Sequence, residues 1–184
     1  MLHGFTYDDY GRGGVLPWAT PIFDTAGNLY GTTAQGGAFW SGCAEFGCGT
    51  VFKLRPRKDG TWSYEVLHSF GNAGDGTAPY DNLVLDAAGN LYGTTYGGGA
   101  NGSGCVANWG CGTVFKLTRQ PSGEWAEKIL HSFEDNNKDA SNPFSGLIFG
   151  PAGNLFGTGS QGGTFTSSCE PYQHGCGAVF EIKP

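Results

Sequence analysis

The sequence predicts an all-β protein made of three tandem copies of one four-stranded unit, and three observations predict it. First, the stretch "GNLYGTT" runs from Gly27 to Thr33, returns unchanged from Gly89 to Thr95, and comes back as "GNLFGTG" from Gly153 to Gly159. A period near 60 residues marks a repeat architecture. Second, 34 of the 184 residues are glycine, beside 13 Phe, 8 Tyr and 5 Trp. Glycines at fixed places between aromatic runs read as tight turns between packed strands. Third, no segment shows sustained helical periodicity.

The elements follow in order. A proline stands before an aromatic at Pro17–Trp18, Pro79–Tyr80 and Pro143–Phe144, and opens strand a. Strand b is Asn-Leu-aromatic-Gly-Thr. Between them, Asp24 and Asp86 in "DTAGN" and "DAAGN" read as turn formers, accepting backbone N–H bonds while the glycine takes positive φ. The third copy has Gly150 and Pro151 there, so that turn is expected to be built differently. Strand c is "GTVFKL" from Gly49 and from Gly112, and "GAVFEI" from Gly177. Strand d begins at Trp62 and Trp125 and ends in "LHSF" at Leu67 and Leu130. The units cover about residues 6–70, 71–133 and 134–184. A four-stranded unit buries little alone; repeated radially, such sheets make a β-propeller.

Three blades are too few for a closed ring. The third unit ends at "GAVFEIKP", before any strand d, while "LHGF" from Leu2 reads as the tail of a strand d. Two arrangements answer this: strand 1–5 closes blade three of a second copy, a homodimer giving six blades in all, or the chain is an excerpt from a longer array.

Between strands b and c, six cysteines fall in local pairs: Cys43 and Cys48, Cys105 and Cys111, Cys169 and Cys176. The gap grows by one residue per copy, which suits a disulfide closing a variable loop. Zinc, which wants shorter and more regular spacing, is the rival. Disulfides imply an oxidising compartment, extracellular or at the cell surface. The start "MLHGFTYDDY" has neither the basic nor the apolar stretch of a signal peptide, so none is expected within this chain.

The net charge is −6, and the densest basic run is Arg55, Arg57 and Lys58. Nucleic acid, which demands a basic stripe, is not an expected partner. No apolar run approaches the ~18 residues of a membrane span.

"D-x-x-G-N-L-Y-G-T-T…G-G…G-T-V-F-K-L" resembles the GloVer (Gloeo/Verruco-type) tandem repeat of secreted or surface-anchored bacterial proteins, over essentially the whole chain. "NLVLDAAGNLYGTT" resembles more loosely the blades of NHL and gluconolactonase-like propellers. The first resemblance implies an extracellular bacterial setting and no settled activity. The second implies a calcium ion in the central channel and hydrolysis of lactones or esters.

The long d–a loops, roughly 6–16, 71–78 and 134–142, emerge on the same face as the cysteine loops and make it acidic. Calcium takes six to eight oxygens, and Asp8, Asp9, Asp75, Asp81, Asp135 and Asp139 are the candidate ligands. The alternative is a set of solvated surface acids. No organic cofactor is expected: phosphate-loop, His-Glu-x-x-His and Gly-x-Ser-x-Gly patterns are absent. His174, in a cysteine loop, is a candidate general base or a surface histidine. Trp40, Trp109 and Tyr172 are candidates to stack on a glycan, or else caps on the hydrophobic layer beneath. His3, His68 and His131 recur at the end of strand d and are expected to be structural, one ring nitrogen tied to a backbone group. Three functions compete: a calcium-assisted lactone or ester hydrolase, a glycan- or protein-binding module, and a structural repeat of a cell-surface protein.

Overall fold

The three copies of Asn-Leu-aromatic-Gly-Thr become the inner strands of three antiparallel sheets. The structure is a computed structural model; it describes the chain apart from residues 8–11, 40–42, 44–45, 73, 101–104, 106–108, 135, 137, 165–168 and 170–174. The first sheet holds β1 (Ile22–Phe23), β2 (Leu29–Thr33), β3 (Thr50–Pro56) and β4 (Trp62–Ser69), in that spatial order. The second holds β6 (Val84–Leu85), β7 (Leu91–Thr95), β9 (Thr113–Arg119) and β10 (Trp125–Ser132), again in chain order. The third has β12 (Ile148–Phe149), β13 (Leu155–Gly162) and β14 (Ala178–Ile182). No α-helix occurs among the described residues.

One pairing was absent from the sequence reading. The d–a loop folds back beside the far end of strand b: Val15 bridges Gln35, β5 (Gly76–Thr77) pairs with β8 (Gly97–Gly98), and β11 (Ala140–Pro143) pairs with β13. These strands are short and glycine-rich, so they carry little β-propensity to read.

The glycine inside strand b has a packing cause. Gly31, Gly93 and Gly157 lie opposite Phe52, Phe115 and Phe180, and a Cβ at any of them would come within 2.4–2.7 Å of that ring. The phenylalanine lies flat across the missing side chain, which lets it reach the neighbouring blade.

Blades meet through one contact, used repeatedly. Phe70, at the end of strand d in blade one, meets Phe115 of blade two at 5.1 Å between ring centroids; Phe133 meets Phe180 of blade three at 4.9 Å. Around the first pair, Tyr30, Val51 and Leu67 pack against Leu83, Leu91 and Leu117. Around the second, Tyr92 and Val114 pack against Leu147 and Leu155. Backbone bonds cross the same seams: Ala78 N–H donates to the Cys48 carbonyl and Asn142 N–H to the Cys111 carbonyl, both at 2.8 Å. Ala78, Asn142 and their counterpart Leu16 all hold positive φ, a conformation that non-glycine residues seldom adopt.

The a–b turns are as expected in two blades. Asp24 accepts from Ala26 N–H, Asn28 N–H, the Asn28 side chain and the Tyr30 hydroxyl; Asp86 repeats the set with Ala88, Asn90 and Tyr92. The expected difference in the third turn needs correcting. Its backbone is the same, with Gly150 N–H to Asn154 and Gly153 N–H to Gly150, as for Asp24 and Asp86. Only the side-chain clamp is missing, and Phe156 has lost the hydroxyl it would have bound.

Candidate functional site

The cysteine loops are closed by disulfides Cys43–Cys48, Cys105–Cys111 and Cys169–Cys176, with Cα separations of 5.2, 5.1 and 5.4 Å. The rival zinc reading of the cysteines is thereby set aside. Cys48, Cys105, Cys111 and Cys169 are buried. Trp109 is half-buried, and its carbonyl accepts from Gly98 N–H. Asp8, Asp9, Trp40, Asp135, Tyr172 and His174 lie outside the described residues.

The recurrent histidines differ from expectation in one respect. In His68 and His131 a ring nitrogen binds a carboxylate, not a backbone group, and His3 stacks on Tyr64. His68 Nε2 donates to Asp75 at 3.2 Å and His131 Nε2 donates to Asp139 at 2.7 Å. Each aspartate is further fixed by backbone N–H groups: Gly71 and Gly76 for Asp75, Glu134 and Ala140 for Asp139. These pairs tie the end of strand d to the loop that follows it. Asp75 and Asp139 therefore sit at equivalent places in successive repeats, each bound to its own histidine.

Asp81 stands apart from both. Its carbonyl accepts from the Thr32 hydroxyl across the blade seam, while Oδ2 is buried without a hydrogen-bond partner. Burial pushes its carboxyl up to about 6. The counterpart in blade three is Ser145, whose hydroxyl meets that of Thr158 at 2.5 Å.

A third residue, an acid absent from the sequence-based candidates, joins His68 and Asp75. Glu127 lies on β10 of blade two, and its Oε1 comes to 3.7 Å from His68 Nε2. One ligand atom from each of His68, Asp75 and Glu127 falls within 4.8 Å of the others. The side chains are 13%, 4% and 14% exposed, so the group is nearly but not wholly sealed. Burial first, and then the neighbouring charge of Asp75, push the Glu127 carboxyl up to about 9. The signal that points to Glu127 is a repeat mismatch: Tyr64 holds the same place in blade one, and stacks on His3 at 4.0 Å.

Two clefts lie elsewhere, at the a–b turns between blades. One of about 460 Å³ is lined by Phe23, Asp24, Tyr30, Leu85 and Asp86. Another of about 420 Å³ is lined by Leu85, Asp86, Tyr92, Phe149 and Pro151. Their carboxylates are those already committed to the turn clamps.

The three sheets, the three disulfide loops and the two His–Asp ties are copies of one unit, and the model of the Gloeobacter/Verrucomicrobia repeat matches residues 1–184. The chain belongs to that repeat family. No curated protein matches it. Among solved structures, a gluconolactonase-like protein is similar at 16% identity and a TM-score of 0.45, over 88% of this chain and 48% of that one. The chain thus spans about half the length of that structure. Among the described residues of this repeat-family member, no helix is long and apolar enough to cross a membrane.

Proposed function

We propose that the protein is a secreted scaffold that completes a six-bladed propeller by binding a second copy of itself, and presents its disulfide-braced loops as a binding face. The observation that carries this reading is the position of residues 1–5. They form no strand among the described residues, yet Phe5 meets Phe52 at 5.3 Å, as Phe70 meets Phe115 and Phe133 meets Phe180. His3 and Phe5 lie edge-to-face at 4.8 Å, as His68 and Phe70 do at 4.6 Å. The segment thus occupies the place that strand d of a preceding blade would hold against blade one.

The opposite end of the chain offers the complementary surface. In blades one and two, Val51 and Val114 are fully buried by the next blade, while their counterpart Val179 is 77% exposed and Ile148 is 66% exposed. Residues 1–5 of a second copy, added beside β14, would bring its Leu29, Phe52 and Leu54 onto this apolar face. Leu16 N–H of that copy would then meet the Cys176 carbonyl, as Ala78 meets Cys48. Twofold symmetry makes both contacts at once and closes the ring.

This reading is preferred to calcium-assisted hydrolysis of a lactone or ester because Asp75 and Asp139 each sit against a histidine nitrogen, a donor that calcium does not favour. Light scattering coupled to size exclusion is the test. The expected mass is twice the chain's 19.3 kDa, returning to the single-chain mass in Val179→Asp. A single-chain mass for the unaltered protein at high micromolar concentration would overturn the proposal.

A further inference from the structure

We propose that His68, Asp75 and Glu127 form a binding site for one divalent transition-metal cation, zinc being the representative ion, at the seam between blades one and two. The site does not depend on ring completion, since all three residues belong to one chain.

The geometry comes first. A tetrahedral zinc ion with bonds of about 2.0–2.2 Å holds its ligand atoms roughly 3.3–3.6 Å apart. His68 Nε2 lies 3.2 Å from Asp75 Oδ2 and 3.7 Å from Glu127 Oε1. These two edges need only tenths of an ångström of adjustment, and the third, between the carboxylates of Asp75 and Glu127, lies within 4.8 Å and closes as the ion draws them together.

The second observation is an unmet need. Glu127 Oε1 is buried with no hydrogen-bond partner. A buried acceptor without a donor is costly, and two carboxylates side by side repel. A dication answers both problems: with two carboxylates and a neutral imidazole, the net charge of the group becomes zero. Imidazole selects zinc, nickel, copper or iron over calcium, which prefers oxygen alone. His68 moves its ring proton to Nδ1, so the ion takes the Nε2 lone pair in place of the Nε2–H bond to Asp75, and any proton held on Glu127 passes to solvent. Asp75 is already aimed by Gly71 and Gly76 N–H groups, the outer-shell support that metal ligands require.

The repeats supply an internal contrast. His131 and Asp139 form the same tie one blade on, but among the described residues no third ligand joins them, and His3 meets Tyr64 where His68 meets Glu127. Glu127 therefore distinguishes a site from a structural tie. It also gives the ion a role, linking the end of blade one to strand d of blade two.

The test uses the full chain, stripped with chelator and titrated with zinc by calorimetry and with cobalt(II) by visible absorption. One equivalent should bind per chain, a ligand-field band should saturate at that ratio, and melting temperature should rise with zinc. Glu127→Gln keeps the side chain's shape and should weaken zinc at least tenfold; Glu127→Ala should do the same. Asp139→Asn, at the tie without a third ligand, should leave the affinity unchanged. Absence of stoichiometric binding overturns the proposal. So does equal affinity in folded Glu127→Gln or Glu127→Ala, or a loss in Asp139→Asn as large as theirs.

Discussion

Val114 and Val179 occupy the same place in the same strand of successive blades, yet the first is fully buried and the second is 77% exposed. The strand does not decide this; the neighbour does. The residues around the two valines have diverged accordingly. In blades one and two, Lys53 and Lys116 each hold their ammonium 5.2 Å from the ring centre of Tyr30 or Tyr92, whose hydroxyls reach Asp24 or Asp86. Blade three has Glu181, Phe156 and Gly150 at those places. The buried hydroxyl pairs Thr33–Thr50 and Thr95–Thr113, both at 2.8 Å, become Gly159 and Ala178. Polar devices that work best when sealed from water persist where the chain seals them itself. They are gone from the face left open, which keeps its apolar side chains.

The largest effect should come from the shared blade contact. Phe115 is fully buried, touches Phe70 across the seam, and lies over Gly93 within its own sheet. Phe115→Ala removes both contacts and leaves a cavity between two blades. The expected cost is about 3–5 kcal/mol, read from the denaturant midpoint. A loss as small as that of a surface substitution would show that the sheets stand independently, and the contrast between sealed and open faces would lose its meaning.

A smaller effect should follow from the turn clamp. Asp86→Ala removes one acceptor that serves four donors and should cost about 1–2 kcal/mol. Burial alone would raise the Asp86 carboxyl, but the bonds from Asn90, Tyr92 and Ala88 hold it below its ordinary value. The clamp's stability is therefore present above the ordinary carboxylate pKa and is lost as pH falls through the lowered one. Copying blade three sharpens the comparison. Asp86→Gly combined with Tyr92→Phe should cost less than the two singles added together, because each single leaves a partner stranded. Strict additivity in urea titrations would separate the two changes.

Asp81 offers an effect of opposite sign. Burial raises its carboxyl to about 6, so folding favours the protonated form. That contribution is fully present below about pH 4 and is lost as pH rises through 6. Asp81→Asn, or Asp81→Ser after the pattern of Ser145, should stabilise the protein by about 1–2 kcal/mol at pH 8 and change little at pH 4. Melting curves at both pH values measure it; equal shifts at the two would remove the carboxyl from the explanation.

Much of the fold was legible because the signals are local. Four strands per unit, the Asp24 and Asp86 turns and the three cysteine pairs each depend on residues a few positions apart. The d–a ladder of β5, β8 and β11 was not legible, since Gly76, Gly97 and Gly98 bring no side chain to read. The site was less legible than the fold. The histidines were visible as a repeat, but the aspartates that hold His68 and His131 lie across loops whose paths the sequence does not fix. Glu127 is 59 residues from His68, and only the stacking of one blade on another brings them together. The place of residues 1–5 against Phe52 was hidden for the same reason, although their likeness to strand d was plain.

The last comparison returns to the two valines and uses concentration to separate them. Val114→Ala opens a small cavity inside one chain and should cost about 2 kcal/mol at any protein concentration. Val179→Ala alters a side chain that one chain leaves in water, and at nanomolar concentration it should change stability by less than about 0.5 kcal/mol. If a second copy covers that face, the cost of Val179→Ala must grow with concentration, because the dimer's stability depends on how many chains are present to form it. Melting followed from nanomolar to high micromolar protein gives the decisive curve. A Val179 penalty that rises while the Val114 penalty stays level means the open face has found its neighbour; two level lines mean that Val179 stays in water.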